Sequence, residues 1–420
     1  MGLDIGTQMP ASAYFAAIYS FGFVAMFDHL PILPPDSILG LAAACRADTN
    51  PDKVDLTIGI YMDETGACPV FQAVKDAQRA MIDEEVTKAY IAPQGDDGFL
   101  SGMMGLVLGQ ERFQTRAGEV AAVQAPGGCG AVRLGAEVLK AAAPAGKVWV
   151  SRPTWPVHVP LITSTGLELN EYRYYEPATH GVDFDGMVAD LQQAKQGDIV
   201  LLHGCCHNPS GADLSVDQWD VVAEMAVTQG FTPMVDLAYQ GFGEGLDVDV
   251  YGLRTLVDKT PEVVIAASLS KNMGLYRERT GVAIFTGPDA RTAEATASQA
   301  KAAARRIYSM PPAHGALIAA RILADQTLRQ SWANELENMC ERINSLRVDF
   351  RDRLESTTGR DFGFIAREKG MFSFLGLTEE QALAVREDRS LYMLNSSRIN
   401  IASLNQQNMD RVVEAVASVL

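Results

Sequence analysis

Polar and aromatic residues follow four short apolar runs of the sequence. They are Trp155 and His158 after KVWVS (147–151), Asn208 after DIVLLH (198–203), Asp236 and Tyr239 at the end of FTPMVD (231–236), and Ser268, Ser270 and Lys271 at the end of EVVIAAS (262–268). Upstream, the glycine turn APGGCG (125–130) leads into a predicted helix, whose first N–H groups and dipole suit an anion. Each feature alone is more often structural than functional.

Together, these side chains meet the needs of a planar, phosphorylated ring that carries an aldehyde. A lysine amine forms a Schiff base with an aldehyde, and an aspartate keeps a pyridine nitrogen protonated so that the ring withdraws electrons. Trp155 can stack on the ring, Asn208 and Tyr239 can contact its phenolate oxygen, and the serines, an arginine and the glycine-turn amides can hold its phosphate. The residues therefore predict a pyridoxal phosphate site, in which Lys271 is both the covalent anchor and the general base and Asp236 faces the ring nitrogen.

The elements that position these residues follow from the alternation of apolar, β-branched runs with helical patterns between about residues 118 and 290. One helix is predicted over SVDQWDVVAEMAVTQG (215–230), with Ser215 as its N-cap and Gly230 at its end. This alternation predicts βαβ units and a mostly parallel, buried sheet, to which GVAIFTG (281–287) adds a further strand. In such sheets ligands bind at the carboxyl ends of the strands, where the candidate residues fall.

The chain beyond residue 313 changes to long helical periods and then to the short segments GMFSFLGL (370–377) and SSRINIAS (396–403). We therefore expect an N-terminal extension or arm over residues 1–35, a small α+β domain formed by 36–68 plus 339–420, and a large cofactor-binding domain over 69–338. The apolar run ASAYFAAIYSFGFVAMF (11–27) has no basic segment before it and no cleavage site after it, which argues against a signal peptide. The segment ahead of Met26 is either not native or an arm that packs on a partner subunit.

Composition excludes some partners. The chain has 52 acidic and 35 basic residues and a net charge of -17, so nucleic acid and anionic membranes would repel it. Its six cysteines form no C-x-x-C pair, which favours reduced thiols and a cytoplasmic location. We therefore expect small-molecule substrates, with no nucleic acid and no membrane.

Ordered motifs along the chain resemble those of class I aminotransferases, in the branch of aspartate and aromatic-amino-acid (tyrosine) aminotransferases. The similar segments are ILGLAAACRADTNPDKVDLTIGIYMDETGACPV (38–70), TKAYIAPQGDDGF (87–99), APGGCGAVR (125–133), RPTWPVH (152–158), LLHGCCHNPSGADLS (201–215), VDLAYQGFGEG (235–245), SLSKNMGLYRERTG (268–281), YSMPPAHGA (308–316) and SSRINIA (396–402). The resemblance implies an α/β enzyme of fold type I that depends on pyridoxal phosphate. It also implies a homodimer whose active sites are shared between subunits.

The resemblance also implies a role for each site residue, by its position in these motifs. The catalytic and ring-binding residues are Lys271, Asp236, Tyr239, Asn208 and Trp155, with His158 and His203 supporting Asp236. The phosphate contacts are Gly127, Gly128, Cys129, Ser268, Ser270 and Arg279, joined by Tyr90 of the partner subunit. The substrate contacts are Arg398 for the α-carboxylate, aided by Gly59, Asn208 and Trp155, and Arg305 for a second carboxylate across the dimer.

Residues around these positions bear on substrate choice. Aspartate-preferring relatives commonly carry polar residues at five positions where this sequence has Met62, Cys68, Ala89, Cys129 and Met310, and Ile60 is bulky as well. Fewer polar groups lower the cost of desolvation around an aromatic ring, and methionines adapt their shape to it. We therefore expect a transaminase for aromatic amino acids, and also for aspartate and glutamate, with a 2-oxo acid such as 2-oxoglutarate as acceptor. The alternatives are an aspartate aminotransferase, a pyridoxal-phosphate lyase or decarboxylase, and a cofactor-binding regulator without turnover.

Overall fold

The computed structural model describes residues 26–34 and 36–420 of the chain. The apolar run up to residue 25, and with it most of the predicted arm, lies outside the described residues. In the described part, no helix has both the length and the apolar character that a membrane span requires.

Strands and helices alternate along most of the chain. The strands are β1 (Val54–Asp55), β2 (Val120–Pro126), β3 (Lys147–Arg152), β4 (Glu168–Arg173), β5 (Tyr175–Glu176), β6 (Gly181–Val182), β7 (Ile199–His203), β8 (Thr232–Leu237), β9 (Val263–Ser268), β10 (Thr280–Thr286), β11 (Phe372–Phe374), β12 (Leu391–Tyr392) and β13 (Arg398–Asn400). The α-helices are α1 (Ser37–Ala47), α2 (Gln72–Glu84), α3 (Asp97–Leu108), α4 (Gln110–Thr115), α5 (Gly127–Ala142), α6 (His158–Thr163), α7 (Phe184–Leu191), α8 (Val216–Gln229), α9 (Tyr251–Lys259), α10 (Ala290–Ile307), α11 (Ala313–Ala324), α12 (Gln326–Thr358), α13 (Gly363–Arg367), α14 (Glu379–Arg389) and α15 (Met409–Ala417).

The central sheet has seven strands in the order β2-β10-β9-β8-β7-β3-β4. β10 runs antiparallel to both of its neighbours, and the other adjacent strands are parallel. The mostly parallel sheet predicted from the sequence is thus confirmed, and the five predicted strands correspond to β3, β7, β8, β9 and β10. The sequence prediction did not include the two edge strands. β4 is largely exposed and has no apolar pattern, and β2 is rich in alanine, which favours helices.

Helices cover both faces of this sheet. Every residue of β9 and β10 is buried. Successive side chains of a strand point to opposite faces, so Val264 and Ile265 of β9 belong to two different apolar clusters. The predicted helix from Ser215 to Gly230 is also confirmed: Ser215 forms a capping box with Gln218, and Gly230 ends α8 with a φ of 76°. These two cores hold the carboxyl ends of the central strands in place.

Segments from the two ends of the chain meet outside the central sheet. β1 pairs with β12 in parallel, and β11 pairs with β13 in antiparallel orientation. The backbone N–H of Asn400 donates to the carbonyl of Leu56 (2.8 Å). This pairing brings β13 to the edge where the central strands end, while the predicted domain boundaries stay a prediction.

Candidate active site

A cavity of about 230 Å³ opens at the carboxyl ends of β7, β8 and β9. Register explains why the polar residues gather there, since His203 of β7 pairs with Asp236 of β8, and Asp236 with Ala266 of β9. The lining residues are Ile38, Gly59, Gly128, Cys129, Trp155, Asn208, Asp236, Ala238, Tyr239, Ser268, Ser270, Lys271, Tyr276, Arg279, Phe372 and Arg398. The convergence at one sheet edge that the sequence predicts is therefore present.

Three of the residues predicted to contact the cofactor or the substrate do not line this cavity. Gly127 lies just behind it, against Arg279. Tyr90 is 93% exposed, and Arg305 is exposed at the end of α10, where its guanidinium contacts the Ser309 hydroxyl. Neither Tyr90 nor Arg305 has a place in the site of its own subunit, so their roles stay predictions that require a second subunit.

Sequence reasoning missed four lining residues: Ile38, Ala238, Tyr276 and Phe372. Three of them are large apolar or aromatic residues, and such residues occupy protein cores far more often than sites, so their type alone gives no signal. Tyr276 lies within the same motif as Lys271, and its hydroxyl accepts a hydrogen bond from the Tyr61 backbone (2.9 Å). Its position in that motif was the one sequence feature that could have assigned Tyr276 to the cavity.

Asp236 is held by a partly buried chain of hydrogen bonds. Its Oδ2 lies 3.0 Å from Nε2 of His158, and Nδ1 of His158 lies 2.8 Å from the Thr154 hydroxyl, which is 3.2 Å from Nε2 of His203. A carboxylate only accepts hydrogen bonds, so Nε2 of His158 donates to Asp236. Nδ1 of His158 then accepts from the Thr154 hydroxyl, and that hydroxyl accepts from Nε2 of His203. Burial acts to raise the pKa of Asp236, but the hydrogen bond from His158 and the nearby Lys271 amine bring it below its usual value. Asp236 is therefore a carboxylate at neutral pH.

Lys271 lies at the turn between β9 and β10, with its Nζ 5.1 Å from the centre of the Tyr239 ring. The next residue holds this turn in place, because the Asn272 side chain donates to the Gln240 carbonyl (3.1 Å) and its own carbonyl accepts from Trp332 Nε1 (2.6 Å). Loss of water around the amine lowers the pKa of Lys271, although Asp236 acts in the opposite direction. A lysine with a lowered pKa has more of its amine unprotonated at neutral pH, so it is more readily available as a nucleophile and proton acceptor than a solvated lysine.

The start of α5 forms an anion cradle beside Lys271. This helix has no side-chain cap, so its first N–H groups remain available. Gly127 has a φ of 73°, which favours glycine, and a Cβ on it would lie 2.5 Å from the Arg279 guanidinium and displace that group. Burial raises the pKa of the Cys129 thiol, which therefore stays neutral and adds no negative charge to the cradle. Arg279 and the N-terminus of α5 together favour a phosphate.

Arg398 is 2% exposed and forms no ion pair with any described residue. Its Nη2 donates to the Thr57 carbonyl (2.6 Å), its Nη1 lies 3.5 Å from Oδ1 of Asn208, and its Nε has no partner in the described part of the chain. The guanidinium also stacks 4.3 Å above the Phe372 ring. Burial lowers the pKa of Arg398 to about 10, so the side chain remains charged at neutral pH. A buried, charged fork of this kind is suited to a carboxylate ligand.

Comparison with known proteins identifies the family. The family model described as "Aminotransferase class I and II" matches residues 51–416. The chain belongs to this aminotransferase family. The matched range includes every lining residue of the cavity except Ile38.

Three similar proteins cover nearly the whole of this aminotransferase. The aspartate aminotransferase of Escherichia coli (strain K12) is 43% identical over 94% of this chain and 100% of its own. The aromatic-amino-acid aminotransferase of Paracoccus denitrificans is also 43% identical, over 94% and 100%. A crystal structure of the aromatic-amino-acid aminotransferase from Burkholderia pseudomallei, covalently bound to pyridoxal phosphate, is 39% identical over the same shares, with a TM-score of 0.92. Relatives of both substrate classes are thus about equally similar, so identity does not decide between them.

Proposed function

We propose that this aminotransferase uses pyridoxal phosphate to move the amino group of aromatic amino acids, and of aspartate and glutamate, to a 2-oxo acid such as 2-oxoglutarate. The observation that carries the proposal is a buried arginine, Arg398, that has no counter-ion among the described residues and shares one cavity with Lys271 and Asp236. Aspartate aminotransferase activity alone is the alternative, because a relative with that name is as similar as the aromatic-amino-acid enzyme.

The residues present fit pyridoxal phosphate. Gly127 lets the backbone approach the Arg279 guanidinium closely, and both lie beside the uncapped end of α5, as a phosphate requires. Asp236, held as a carboxylate, suits a protonated ring nitrogen, and Lys271 suits an aldehyde. When bound, the cofactor supplies an aldehyde that amines attack and a ring that withdraws electrons from the substrate.

The chain's own groups then perform three tasks. Arg398 fixes the substrate carboxylate and so orients the carbon that loses its proton. With the cofactor bound and its aldehyde taken up by the substrate amine, Lys271 would be a free amine beside that carbon and would accept the proton that the carbon loses. Asp236 keeps its negative charge opposite the ring nitrogen because His158 donates to it. Trp155 lines the same cavity, as the predicted stacking residue must.

The walls of the cavity support an aromatic substrate. Ile38, Tyr276 and Phe372 contribute apolar surface beside Trp155, so an aromatic side chain would lose little hydrogen bonding on entry. The second carboxylate of aspartate or glutamate requires a cation, and the described lining contains only Lys271, Arg279 and Arg398. Arg305 from a partner subunit would supply that cation.

A homodimer is part of the proposal. Large apolar side chains are exposed on and after α2, among them Ile82, Val86 and Tyr90, which are 78%, 95% and 93% exposed. Surface of this kind favours a covering partner, and a second copy would bring Tyr90 and Arg305 to the neighbouring site. We also propose a cytoplasmic location, since all six cysteines are free.

The test compares kcat/KM for phenylalanine, tyrosine and aspartate, each with 2-oxoglutarate and with glutamate measured as product. We expect turnover of all three. Negligible turnover of the aromatic amino acids, with aspartate faster by orders of magnitude, would support the aspartate-specific alternative. Release of carbon dioxide or ammonia without glutamate would indicate a lyase or decarboxylase, and cofactor binding without any turnover would indicate a regulator.

A further inference from the structure

A buried polar cluster lies behind the wall of the cavity that holds Arg398. Arg347 of α12 is 1% exposed and Glu368 is 3% exposed. The Glu368 Oε2 atom contacts the Ser373 hydroxyl and lies 3.4 Å from Nη1 of Arg347, while its Oε1 has no partner among the described residues. A buried carboxyl with one oxygen left unpaired is costly to keep, and the cavity chemistry described above does not use it.

Arg347 makes its shorter contacts with backbone carbonyls. Its guanidinium donates to four of them in the segment before and within β11: Ile365 (2.9 Å), Lys369 (3.2 Å), Gly370 (2.8 Å) and Phe372 (2.6 Å). The contact with Glu368 is longer than any of these. Arg347 therefore mainly holds this backbone in place by hydrogen bonds, and its interaction with the Glu368 carboxyl is weaker.

This segment is directly connected to the carboxylate-binding arginine. β11 pairs with β13 so that Phe374 lies opposite Arg398, and the Phe372 ring lies under the Arg398 guanidinium. The segment also contacts the loop that carries Asn208, because Lys369 N–H donates to the Gly211 carbonyl (2.7 Å). A Cβ on Gly211 would lie 2.4 Å from the Phe372 carbonyl, so these backbones are in close contact. A shift of β11 would therefore move both Phe372 and Arg398.

We propose that Glu368 is a positioning residue for the carboxylate site, and that its ionisation weakens carboxylate binding by drawing Arg347 away from the β11 backbone. The inference rests on the proposed function only in taking Arg398 as the carboxylate ligand. Neutral Glu368 leaves the guanidinium to the four carbonyls. Glu368 contacts the same Nη1 that donates to the Ile365 carbonyl, so the ionised carboxylate competes there first. The guanidinium is rigid and planar, so turning it toward Glu368 also moves Nη2 away from the Phe372 carbonyl.

Among the titratable groups packed around it, Glu368 is the one whose pKa falls in the mildly alkaline range. Burial raises the pKa of Glu368 to about 8, against the opposing effects of Arg347 and Ser373. Arg367 and Lys369 flank it on its own segment. The other titratable neighbours are Tyr175, Cys206 and Asp213. Burial raises the pKa of Tyr175 well above its usual value, and the bonded Cys205 thiol together with burial does the same for Cys206. Burial raises the pKa of Asp213 only to about 6. These three therefore titrate outside the range from about pH 7 to about pH 9.

The test measures binding of unreactive carboxylates to the cofactor-loaded enzyme as a function of pH. Succinate and 3-indolepropionate carry no amine, so they do not titrate in this range, and they represent the dicarboxylic and aromatic substrate classes. We expect the dissociation constant of whichever acid binds to rise by about fivefold or more between about pH 7 and about pH 9, the low end of typical couplings between sites. In Glu368→Gln, which keeps the neutral shape, this rise should be several-fold smaller, and what remains should come from cavity groups such as Lys271 that both proteins share.

Glu341→Gln is the matched control, because it makes the same chemical change on the exposed side of α12 and should keep the wild-type profile. A pH profile in Glu368→Gln equal to that of the wild type would overturn the inference. So would a pH-independent constant in the wild type. If Glu368→Gln unfolds, Ser373→Ala serves instead, since loss of that contact should move the midpoint of the profile. Failure of the wild type to bind either acid at any pH would refute the carboxylate site itself, and with it both proposals.

Discussion

Nε2 of His158 lies 3.0 Å from Oδ2 of Asp236, and the same ring is held at its other nitrogen by the Thr154 hydroxyl. The imidazole therefore has one orientation and one tautomer available, and its proton points at the carboxylate. Asp236 keeps its charge in a buried position because this donor replaces the water it has lost.

Substitution His158→Phe tests that relationship, because it keeps a ring beside Trp155 and removes the donor. A hydrogen bond to a charged group contributes about 1.5–3 kcal/mol, so we expect kcat/KM to fall by roughly 10- to 100-fold. The exposed histidine variant His314→Phe is the control and should be unchanged. Full activity in His158→Phe would show that Asp236 does not depend on this donor.

Substitution Lys271→Ala removes the proposed anchor. Reduction of the loaded wild-type enzyme with borohydride should add the cofactor mass to the peptide that contains Lys271, and the variant should show no such addition. Turnover should fall by at least about 100-fold, since a positioned acid–base group contributes about 10²–10⁴-fold. Lys259→Ala, which alters only a surface pair with Asp220, should keep both properties. Cofactor mass on any other lysine of the wild type would refute the assignment.

Substitution Arg398→Met separates binding from stability. The variant loses the carboxylate ligand, and we expect kcat/KM to fall by about 100-fold or more, since truncating a buried charge pair costs about 2–5 kcal/mol. Its Tm should stay close to that of the wild type, because an apolar side chain often replaces a buried charge without loss of stability. A variant that unfolds at much lower temperature would instead indicate a mainly structural arginine.

Substitution Gly127→Ala tests the phosphate cradle. Alanine would meet both the strained backbone and the Arg279 guanidinium, at a cost of about 1–3 kcal/mol, so we expect the dissociation constant of pyridoxal phosphate to rise by about 5- to 150-fold. Equilibrium dialysis of the cofactor gives the measurement. Gly359→Ala is the control for backbone strain alone, since it shares a positive φ but has open space around it. Unchanged cofactor affinity in Gly127→Ala would contradict the cradle.

The buried histidines predict how stability depends on pH. Burial lowers the pKa of His203 from 6.5 to about 3, so the unfolded chain binds a proton there that the folded protein does not. Stability is then complete above about pH 6.5 and falls on acidification by about 1.4 kcal/mol per pH unit for this group. Denaturant unfolding at several pH values should show a shallower slope for His203→Gln than for the wild type. The exposed-site variant His314→Gln should keep the wild-type slope.

The sequence was informative about groups whose chemistry is unusual. Lys271, Asp236 and Asn208 could be placed at one sheet edge because parallel strands end together and apolar runs mark those ends. Ile38 and Phe372 were not found, since an apolar side chain that lines a cavity has the same type as one in the core.

Side-chain contacts that depend on how the backbone folds could likewise not be predicted from the sequence. The role of Thr154 depends on where the turn after β3 places its hydroxyl between two imidazoles. The contact between Arg347 and the carbonyls before β11 depends on the packing of α12, which no local pattern reports. Contributions from a second subunit, as proposed for Tyr90 and Arg305, lie outside what one chain can show by its own contacts.

The bond from Arg398 to the Thr57 carbonyl joins residues 341 positions apart in the chain. β1 and β12 are joined over a similar separation. During synthesis, therefore, Asp236 and Lys271 leave the ribosome before Arg398, which bonds the Thr57 carbonyl, has been made. A nascent chain therefore contains the residues proposed to face the cofactor before it contains the arginine proposed to bind the substrate carboxylate.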